Sequence, residues 1–385
     1  MRFAWYAIIV SCLFSSMVVG QAEKGRLKIG VLVPLSGDLA IFGKDLKAGM
    51  QMALEDLRVS DEDIVQRTDI EYRDYGADPS KVSTLAKELI SARKADILFA
   101  PLTGSTTISL YRGIEDSSRP IISATAGHSL ITRVGENVFR TCLADPLQGR
   151  VMANFAFADL KKSKVALFVE EGSEYANSVA QSFELEFKSL GGTIVTKVTY
   201  PPGTDDFAKH LAALKKKSPQ LVFMPAYYAD AAKAISQAKG QGLKVGFLGT
   251  DGWDSLKLYS LASREGLKGH YYFSHFSLND SDPAVRAFIK KFMDAEKREP
   301  SMYAAMGYDA MAVALDAFKR SHTNLGGSLI KALAATKDVR SLMGALSMNS
   351  QRDAIKGASI ISTTPDGPKF QARFSMSLKN PSPSL

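Results

Sequence analysis

The chain has 385 residues, of which 45% are hydrophobic and 23% charged, with a formal net charge of +8. That composition excludes a disordered or low-complexity protein and leaves room for two domains, each with its own core. The basic balance invites a nucleic-acid reading. However, Lys and Arg are scattered among Asp and Glu along helical stretches, with no stripe interleaved with aromatics, so no nucleic-acid partner is expected.

Residues 1–22, "MRFAWYAIIVSCLFSSMVVGQA", carry one Arg, an apolar run and then the small residues Gly20 and Ala22, the layout of a cleaved secretory signal. A membrane anchor is the rival, since the run falls only slightly short of the roughly 20 residues a span needs. "IVSC" resembles a lipoprotein box that would place a lipid on Cys12. Cutting there would leave a hydrophobic region of only about eight residues, so the reading is set aside. The expected location is the periplasm. Once residues 1–22 are removed, Cys142 is the only cysteine, and the folded chain must rely on its core rather than on a disulfide.

"LKIGVLVP" at 27–34 reads as a buried parallel strand, and the following "DLKAGMQMALEDLR" puts Leu46, Met50, Ala53, Leu54 and Leu57 at helical spacing. The unit repeats through "IEYRDY" and a helix over 81–93, "DILFA" and a helix after Gly104, "PIISA", and a short strand "NVFRT". From Asp145 the alternation starts afresh. A helix to Leu160 leads to "KVALFVE", a helix to Leu190, "TIVTKVTY", a helix over 205–215, "LVFMPA", a helix through 231–239, "VGFLGT" and "GHYYFSHF". Strands alternating with amphipathic helices at this spacing predict α/β architecture: two doubly wound parallel-sheet lobes. After about residue 276 the chain reads as mostly helical, with 283–295 and 303–318 clearest. It ends in a predicted hairpin turning at Pro365-Asp366-Gly367. Helices without a sheet of their own must pack on one already built. The expected lobes are therefore 25–143 plus 276–356 and 144–275 plus 357–378, joined by a multi-crossover hinge, with 379–385 as a tail.

Ligands of open α/β sheets bind beyond the carboxyl ends of the strands. The loops that matter are thus "LSGDLAIFG", "APLTGSTT", "SATAGHS", "EEGSEYA", "PAYYAD" and "GTDGWD". "APLTGSTTIS" ends a strand with Gly104 and Ser105 at the start of a helix, where free N–H groups and the helix dipole attract an anion. The plain alternative is that Ser105 or Thr106 is only a helix cap. No Lys or Arg lies in this loop, which suits a monoanionic carboxylate better than a phosphate. "GDLAIFGKD" imitates a phosphate loop but has the wrong glycine spacing, and Asp45 stands where a hydroxyl is needed. "SLNDSDPAV" lacks the glycine of a calcium loop and reads as a polar turn. His270 and His275, five residues apart, face opposite sides of a strand, and no metal or other cofactor is expected. No nucleophile elbow is present, so an exported enzyme is the weakest reading. The remaining cleft candidates are Phe42, Tyr175, Tyr227, Tyr228, Asp251 and Trp253. An aspartate opposite a carboxylate-binding loop is the complement of an α-amino acid.

The order and spacing of "IGVLVPLSGDLAIFGKDLKAGMQMAL", "PLTGSTT", "PIISATAGHSLIT", "VFRTCLADPLQG", "DDFAKHLAAL" and "AYYADAAKAISQAKGQGLKVGFLGTDG" resemble the leucine/isoleucine/valine-binding type of periplasmic binding protein, the receptor of an ABC importer. The resemblance covers about residues 27–374 and implies a type I hinged fold that closes on a small solute and presents it to permease subunits. It further implies that Gly104 and Ser105 hold the ligand carboxylate and that Thr125 and Gly127 supply the next loop. Tyr175 and Tyr227 would be aromatics of the second lobe, Asp251 the ammonium acceptor and Phe42 a neighbour of the ligand side chain. Gly104 and Gly127 depart from the Ser and Thr common in the family. A monomeric transport receptor is the leading expectation, and a sensory subunit with the same cleft the alternative.

Overall fold

Leu27–Val33 (β1) is buried at every position except Lys28, as a central parallel strand covered on both faces must be. A computed structural model describes residues 25–76, 78–114 and 118–374. After β1 come α1 (Ala40–Ser60), α2 (Glu62–Gln66), β2 (Thr68–Asp74), α3 (Pro79–Ser91), β3 (Ile97–Phe99), α4 (Gly104–Ile114), β4 (Ile121–Ser123) and β5 (Val138–Arg140). These strands pair in the order β2-β1-β3-β4-β5, all parallel, with Ile29 of β1 opposite both Ile70 and Ile97.

The chain then crosses to α5 (Asp145–Asn154), which continues as a π-helical turn over Phe155–Asp159 rather than as the uniform helix expected to Leu160. The second series follows: β6 (Lys164–Glu170), α6 (Glu174–Ser189), β7 (Thr193–Tyr200), α7 (Ala208–Lys216), β8 (Leu221–Phe223), α8 (Tyr228–Gly240), β9 (Gly246–Gly249), the short α9 (Leu256–Leu261) and β10 (His270–Ser274). Next are α10 (Pro283–Glu296), α11 (Met302–Ser321), α12 (Gly326–Ala334), the short strands β11 (Val339–Ser341), β12 (Gly344–Met348) and β13 (Ala354–Ile355), and the hairpin β14 (Ala358–Thr364) and β15 (Gly367–Phe374). The second sheet runs β15-β14-β10-β9-β8-β6-β7, parallel from β10 to β7, with the hairpin added antiparallel at one edge. The two parallel portions therefore share one winding order, 2-1-3-4-5 counted within each lobe.

Alternation along β1 divides the first lobe into two layers. Leu27, Ile29, Val31 and Val33 pack with Leu46 and Met50 of α1 and with Met311, Ala314 and Phe318 of α11. Leu32 lies in the opposite layer with Val82, Ala86 and Leu89 of α3 and Leu110 of α4. The second lobe repeats the scheme, with Val165, Leu167 and Val169 against α5 and α6, and Ala166 and Phe168 against α7 and α8. The helix α11 thus returns some 270 residues later in the chain to complete the core begun by β1. It approaches α1 closely, since a Cβ on Gly49 would lie 1.8 Å from Ala304 O and one on Gly307 would lie 2.2 Å from Leu46 O. Any larger residue at either position would push the helices apart.

The mostly helical stretch expected after 276 also contains β11-β12-β13, a small antiparallel sheet that short, interrupted strands do not announce. Its position is fixed by a buried pair, Lys356 Nζ to Asp309 Oδ2 at 2.8 Å, while Asp309 Oδ1 accepts from Leu342 N–H at 2.8 Å. The chain passes between lobes after β5, after β10 and after β13. The signal reading for 1–22 and the tail at 379–385 lie outside the described residues. Among the described residues no helix is long and apolar enough to cross a membrane.

Candidate functional site

In a 2-1-3-4-5 sheet the crevice opens where adjacent strands send their connections to opposite faces, between the first and third strands. Here that means the loops after β1 and β3 in one lobe and after β6 and β8 in the other. Phe42, Gly104, Tyr175 and Tyr227 follow those four strands. The loop after β1 is held by one carboxylate oxygen, Asp74 Oδ1, which accepts from the N–H groups of Leu35 (2.8 Å), Ser36 (3.3 Å) and Gly76 (2.8 Å). It delivers Phe42, whose ring lies 4.7 Å from that of Tyr303 at the start of α11.

The helix α4 begins at Gly104, and its cap is Thr103, whose Oγ1 accepts from Thr106 N–H at 3.4 Å. The alternative reading, in which Ser105 or Thr106 does the capping, is thereby corrected: Thr103 does it. Those two residues lie inside the first turn, where the N–H groups of Gly104 and Ser105 have no acceptor within the helix. Thr125 Oγ1 donates to Leu102 O at 2.7 Å, which ties the second loop to the first and leaves the hydroxyl only its lone pairs. A Cβ on Gly104 would lie 2.8 Å from His128 Cβ, and one on Gly127 would lie 1.9 Å from Asp145 Oδ1. Both departures from the family pattern thus have a steric cause: His128 and Asp145 fill the space where side chains at 104 and 127 would project.

Arg140 underpins this loop from behind. Its side chain is 1% exposed; Nη1 donates to Gly127 O (2.7 Å) and His128 O (2.6 Å), and Nε and Nη2 both bond Asp353 Oδ1. His128 Nδ1 accepts from Leu130 N–H at 3.2 Å, so Nε2 carries the proton of the neutral ring and faces Glu174 Oε2 of α6, 3.4 Å away across the lobes.

In the second lobe, Asp251 follows β9. Its Oδ1 accepts from Tyr175 Oη at 2.6 Å, its Oδ2 lies 3.1 Å from His275 Nε2, and its N–H donates to Gln148 Oε1 at 3.1 Å. Burial alone would raise the Asp251 carboxyl, but the contacts with His275 and the Tyr175 hydroxyl outweigh it and hold it below its ordinary value. The Tyr175 ring stacks on Tyr227 at 5.5 Å, and Tyr227 is 60% exposed, as a ring at the mouth of a crevice would be. Asp254, behind Asp251, is pushed up to about 6 by burial against the opposing bond from the Ser274 hydroxyl.

Asp145 heads α5 at the first crossover. Burial pushes its carboxyl up to about 7, the charge of Asp251 adds to this, and Arg140 opposes it. The charge of Asp145 is also felt by the hydroxyls of Tyr175 and Tyr227. That of Asp251 reaches Tyr303, so Tyr303 brings Phe42 into the same electrostatic neighbourhood.

The structure therefore gathers Tyr175, Tyr227 and Asp251 in one lobe and Gly104, Ser105, Thr125 and Gly127 in the other, with Phe42 beside Tyr303. Trp253, by contrast, is fully buried and donates to Met224 O, and Tyr228 is partly buried against the core that α8 shares with β8 and β9. The residues that sequence reasoning missed are Asp145, His128, Tyr303 and His275. The opposite facing of the two histidines was legible: His270 is a core residue, Nδ1 accepting from Phe247 N–H and Nε2 bonding Gly266 O, whereas His275 faces Asp251.

The profile of a family described as periplasmic binding protein matches residues 26–363. Leu/Ile/Val-binding protein homolog 3 of Brucella melitensis biotype 1 is 24% identical over 349 residues, 90% of this chain and 94% of that protein. The branched-chain amino acid transporter substrate binding protein LivJ of Streptococcus pneumoniae, solved in complex with isoleucine, is similar with a TM-score of 0.77 at 25% identity, covering 91% of this chain and 99% of that one. A solute binding protein of an ABC transporter from Rhodopseudomonas palustris BisB5, solved in complex with 3,4-dihydroxy benzoic acid, has a TM-score of 0.75 at 22% identity, covering 91% and 96%.

Proposed function

This chain belongs to the periplasmic binding protein family, and on that premise we propose that it binds a small amino acid, amide or carboxylate-like solute between its lobes and delivers it to the permease of an ABC importer. It works in the periplasm as a monomer, after removal of residues 1–22, and carries its solute without transforming it. The observation that carries this reading is Asp251, a partly buried carboxylate held by Tyr175 and His275 on one side of a crevice whose other side offers the first-turn N–H groups of α4 and no Lys or Arg in the loop. The solute's carboxylate is received by the N–H groups of Gly104 and Ser105, with the Ser105 hydroxyl beside them. Its nitrogen is received by Asp251 and by the Thr125 lone pairs, and the rings of Phe42, Tyr303, Tyr175 and Tyr227 cover what remains.

Closure brings together donors from both lobes, so the closed state binds better than the open one, and the permease reads a surface that only the closed state presents. The isoleucine complex of the pneumococcal relative favours an amino acid, while the aromatic-acid complex of the Rhodopseudomonas protein shows that the fold also serves solutes without nitrogen. A thermal-shift panel of L-amino acids, primary amides and small carboxylates tests the proposal: at least one should raise the melting temperature. Asp251→Asn should then weaken ammonium-bearing solutes by about 2–5 kcal/mol and leave their deaminated analogues unchanged. A panel without a single stabilising member would overturn it.

A further inference from the structure

We propose that the crevice selects a solute whose nitrogen is N-methylated, a betaine-type carboxylate, by enclosing that nitrogen in a cage formed by Phe42, Tyr175, Tyr227 and Tyr303. The inference rests on the reading of Asp251 as the residue that faces the solute's nitrogen. Each lobe contributes one pair of rings. In the second lobe Tyr175 and Tyr227 stack with centroids 5.5 Å apart and planes 26° apart, and the Tyr175 hydroxyl donates to Asp251 Oδ1 at 2.6 Å. In the first lobe Phe42 and Tyr303 lie 4.7 Å apart with planes tilted by 36°. Tyr227 is exposed, and Phe42, Tyr175 and Tyr303 are only partly buried, so none of these rings is closed into a core. The Tyr303 hydroxyl is pushed up by burial first, and then by Asp251, Tyr227 and Asp254. The two pairs therefore sit within electrostatic reach of each other, around one carboxylate.

The face of an aromatic ring is electron-rich and attracts a cation, most strongly where water is excluded. Among the described residues, the cations placed over rings are Lys47, Arg67 and Arg298, on Tyr72, Phe318 and Phe292. None of them stands over a ring of the crevice. The charged side chains that reach Tyr175, Tyr227 and Tyr303 are Asp145, Glu170, Asp251 and Asp254, all acids, so the rings and their surroundings favour a positive charge brought by the solute. A primary ammonium brings three N–H groups, each of which needs an acceptor once it leaves water, and ring faces are poor ones. Asp251 already takes the Tyr175 hydroxyl on Oδ1 and faces His275 Nε2 with Oδ2 at 3.1 Å. Methyl groups remove N–H donors, spread the charge over a larger, weakly hydrated surface and pack against the rings. Any N–H that remains is left for Asp251 and the Thr125 lone pairs.

Calorimetric titration of the purified protein with glycine, sarcosine, N,N-dimethylglycine and glycine betaine follows the effect one methyl at a time. The control is 3,3-dimethylbutanoate, which has the shape of glycine betaine with carbon in place of the charged nitrogen. Affinity should rise along the series, and glycine betaine should bind at least about tenfold more tightly than glycine and than 3,3-dimethylbutanoate, a comparison that needs no substitution. Tyr227→Leu should weaken glycine betaine about tenfold and 3,3-dimethylbutanoate by less than about twofold, while Tyr227→Phe, which keeps the ring, should retain glycine betaine binding. Four results would overturn this inference alone: glycine betaine no tighter than 3,3-dimethylbutanoate, glycine or L-isoleucine tighter than every methylated member, benzoate tighter than glycine betaine, or glycine betaine indifferent to Tyr227→Leu. Failure of all these solutes to bind, or a glycine betaine affinity unchanged by Asp251→Asn, would overturn the reading of Asp251 and this inference with it.

Discussion

Replacing Asp353 with Ala would strip the buried Arg140 of the carboxylate that bonds it. The guanidinium loses both contacts to Asp353 Oδ1, at 3.1 Å from Nε and 2.6 Å from Nη2, and keeps only the carbonyls of Gly127 and His128. With the side chain 1% exposed, the stranded charge gains little from water. Removing one partner of a buried ion pair costs about 3–5 kcal/mol, and the Thr132 hydroxyl, which donates to the same oxygen at 3.0 Å, loses its acceptor for about another 1 kcal/mol. The sum is a large part of the roughly 5–15 kcal/mol that stabilises an ordinary domain. Urea unfolding at pH 6 should show the loss, and a weaker grip on the Gly127 loop should accompany it as reduced ligand affinity. At pH 8 the penalty should shrink, because Asp145, the other acid near Arg140, is then ionised and partly replaces the lost charge. The double variant Arg140→Met with Asp353→Leu should lose far less than the single one. A loss below about 1 kcal/mol at pH 6 would refute the reasoning, since it would mean the guanidinium finds water without cost.

Gly127→Thr, which restores the residue common in the family, should destabilise the protein by about 1–3 kcal/mol, because its Cβ meets Asp145 Oδ1 at 1.9 Å. Adding Asp145→Ala should recover much of that loss in the same urea assay. Asp145 itself makes stability pH-dependent. Its folded carboxyl lies near 7, above the ordinary 3.8, so its contribution is full below about pH 3.8 and is lost as pH rises towards about 7. Asp145→Asn should therefore gain stability relative to the wild type across that window, as read from unfolding midpoints between pH 4 and 8, and the gain should level off above it. Cys142, fully buried with its thiol pushed up to about 12 by burial, should resist thiol reagents in the native protein and react once it is unfolded.

The αβ alternation was legible because parallel strands buried on both faces leave short, β-branched apolar runs between amphipathic helices, as in "LKIGVLV" and "KVALFVE". The crevice loops followed from strand polarity alone. Two kinds of information were not legible. The first is partnership between distant segments. Asp145 reads as a first-turn acid before Pro146, an unremarkable helix start, and only the crossover that carries α5 to the second lobe sets it against Gly127 and Asp251. His275 could be oriented from strand parity, but its partner depends on β10 lying beside β9, a pairing the chain order permits without requiring. The second is weak local signal: β11 and β13 have three and two residues, too few for any periodicity to emerge. The glycines at 104 and 127 looked like lost hydroxyls, and their reason, occupied space, lies in His128 and Asp145 rather than in their own neighbours along the chain.

The return of α11 to the layer begun by β1 has a consequence for biogenesis. Leu27–Val33 cannot be covered on that face until residues as late as Phe318 and Leu333 have been made, because Met311, Ala314, Phe318 and Leu333 belong to the same core. A growing chain therefore holds an unfinished first lobe for most of its synthesis, and its folding is governed by contacts of long sequence separation, which form slowly. The same topology that carries the chain back and forth between the lobes thus leaves the core of the first lobe incomplete until the last third of the chain is available.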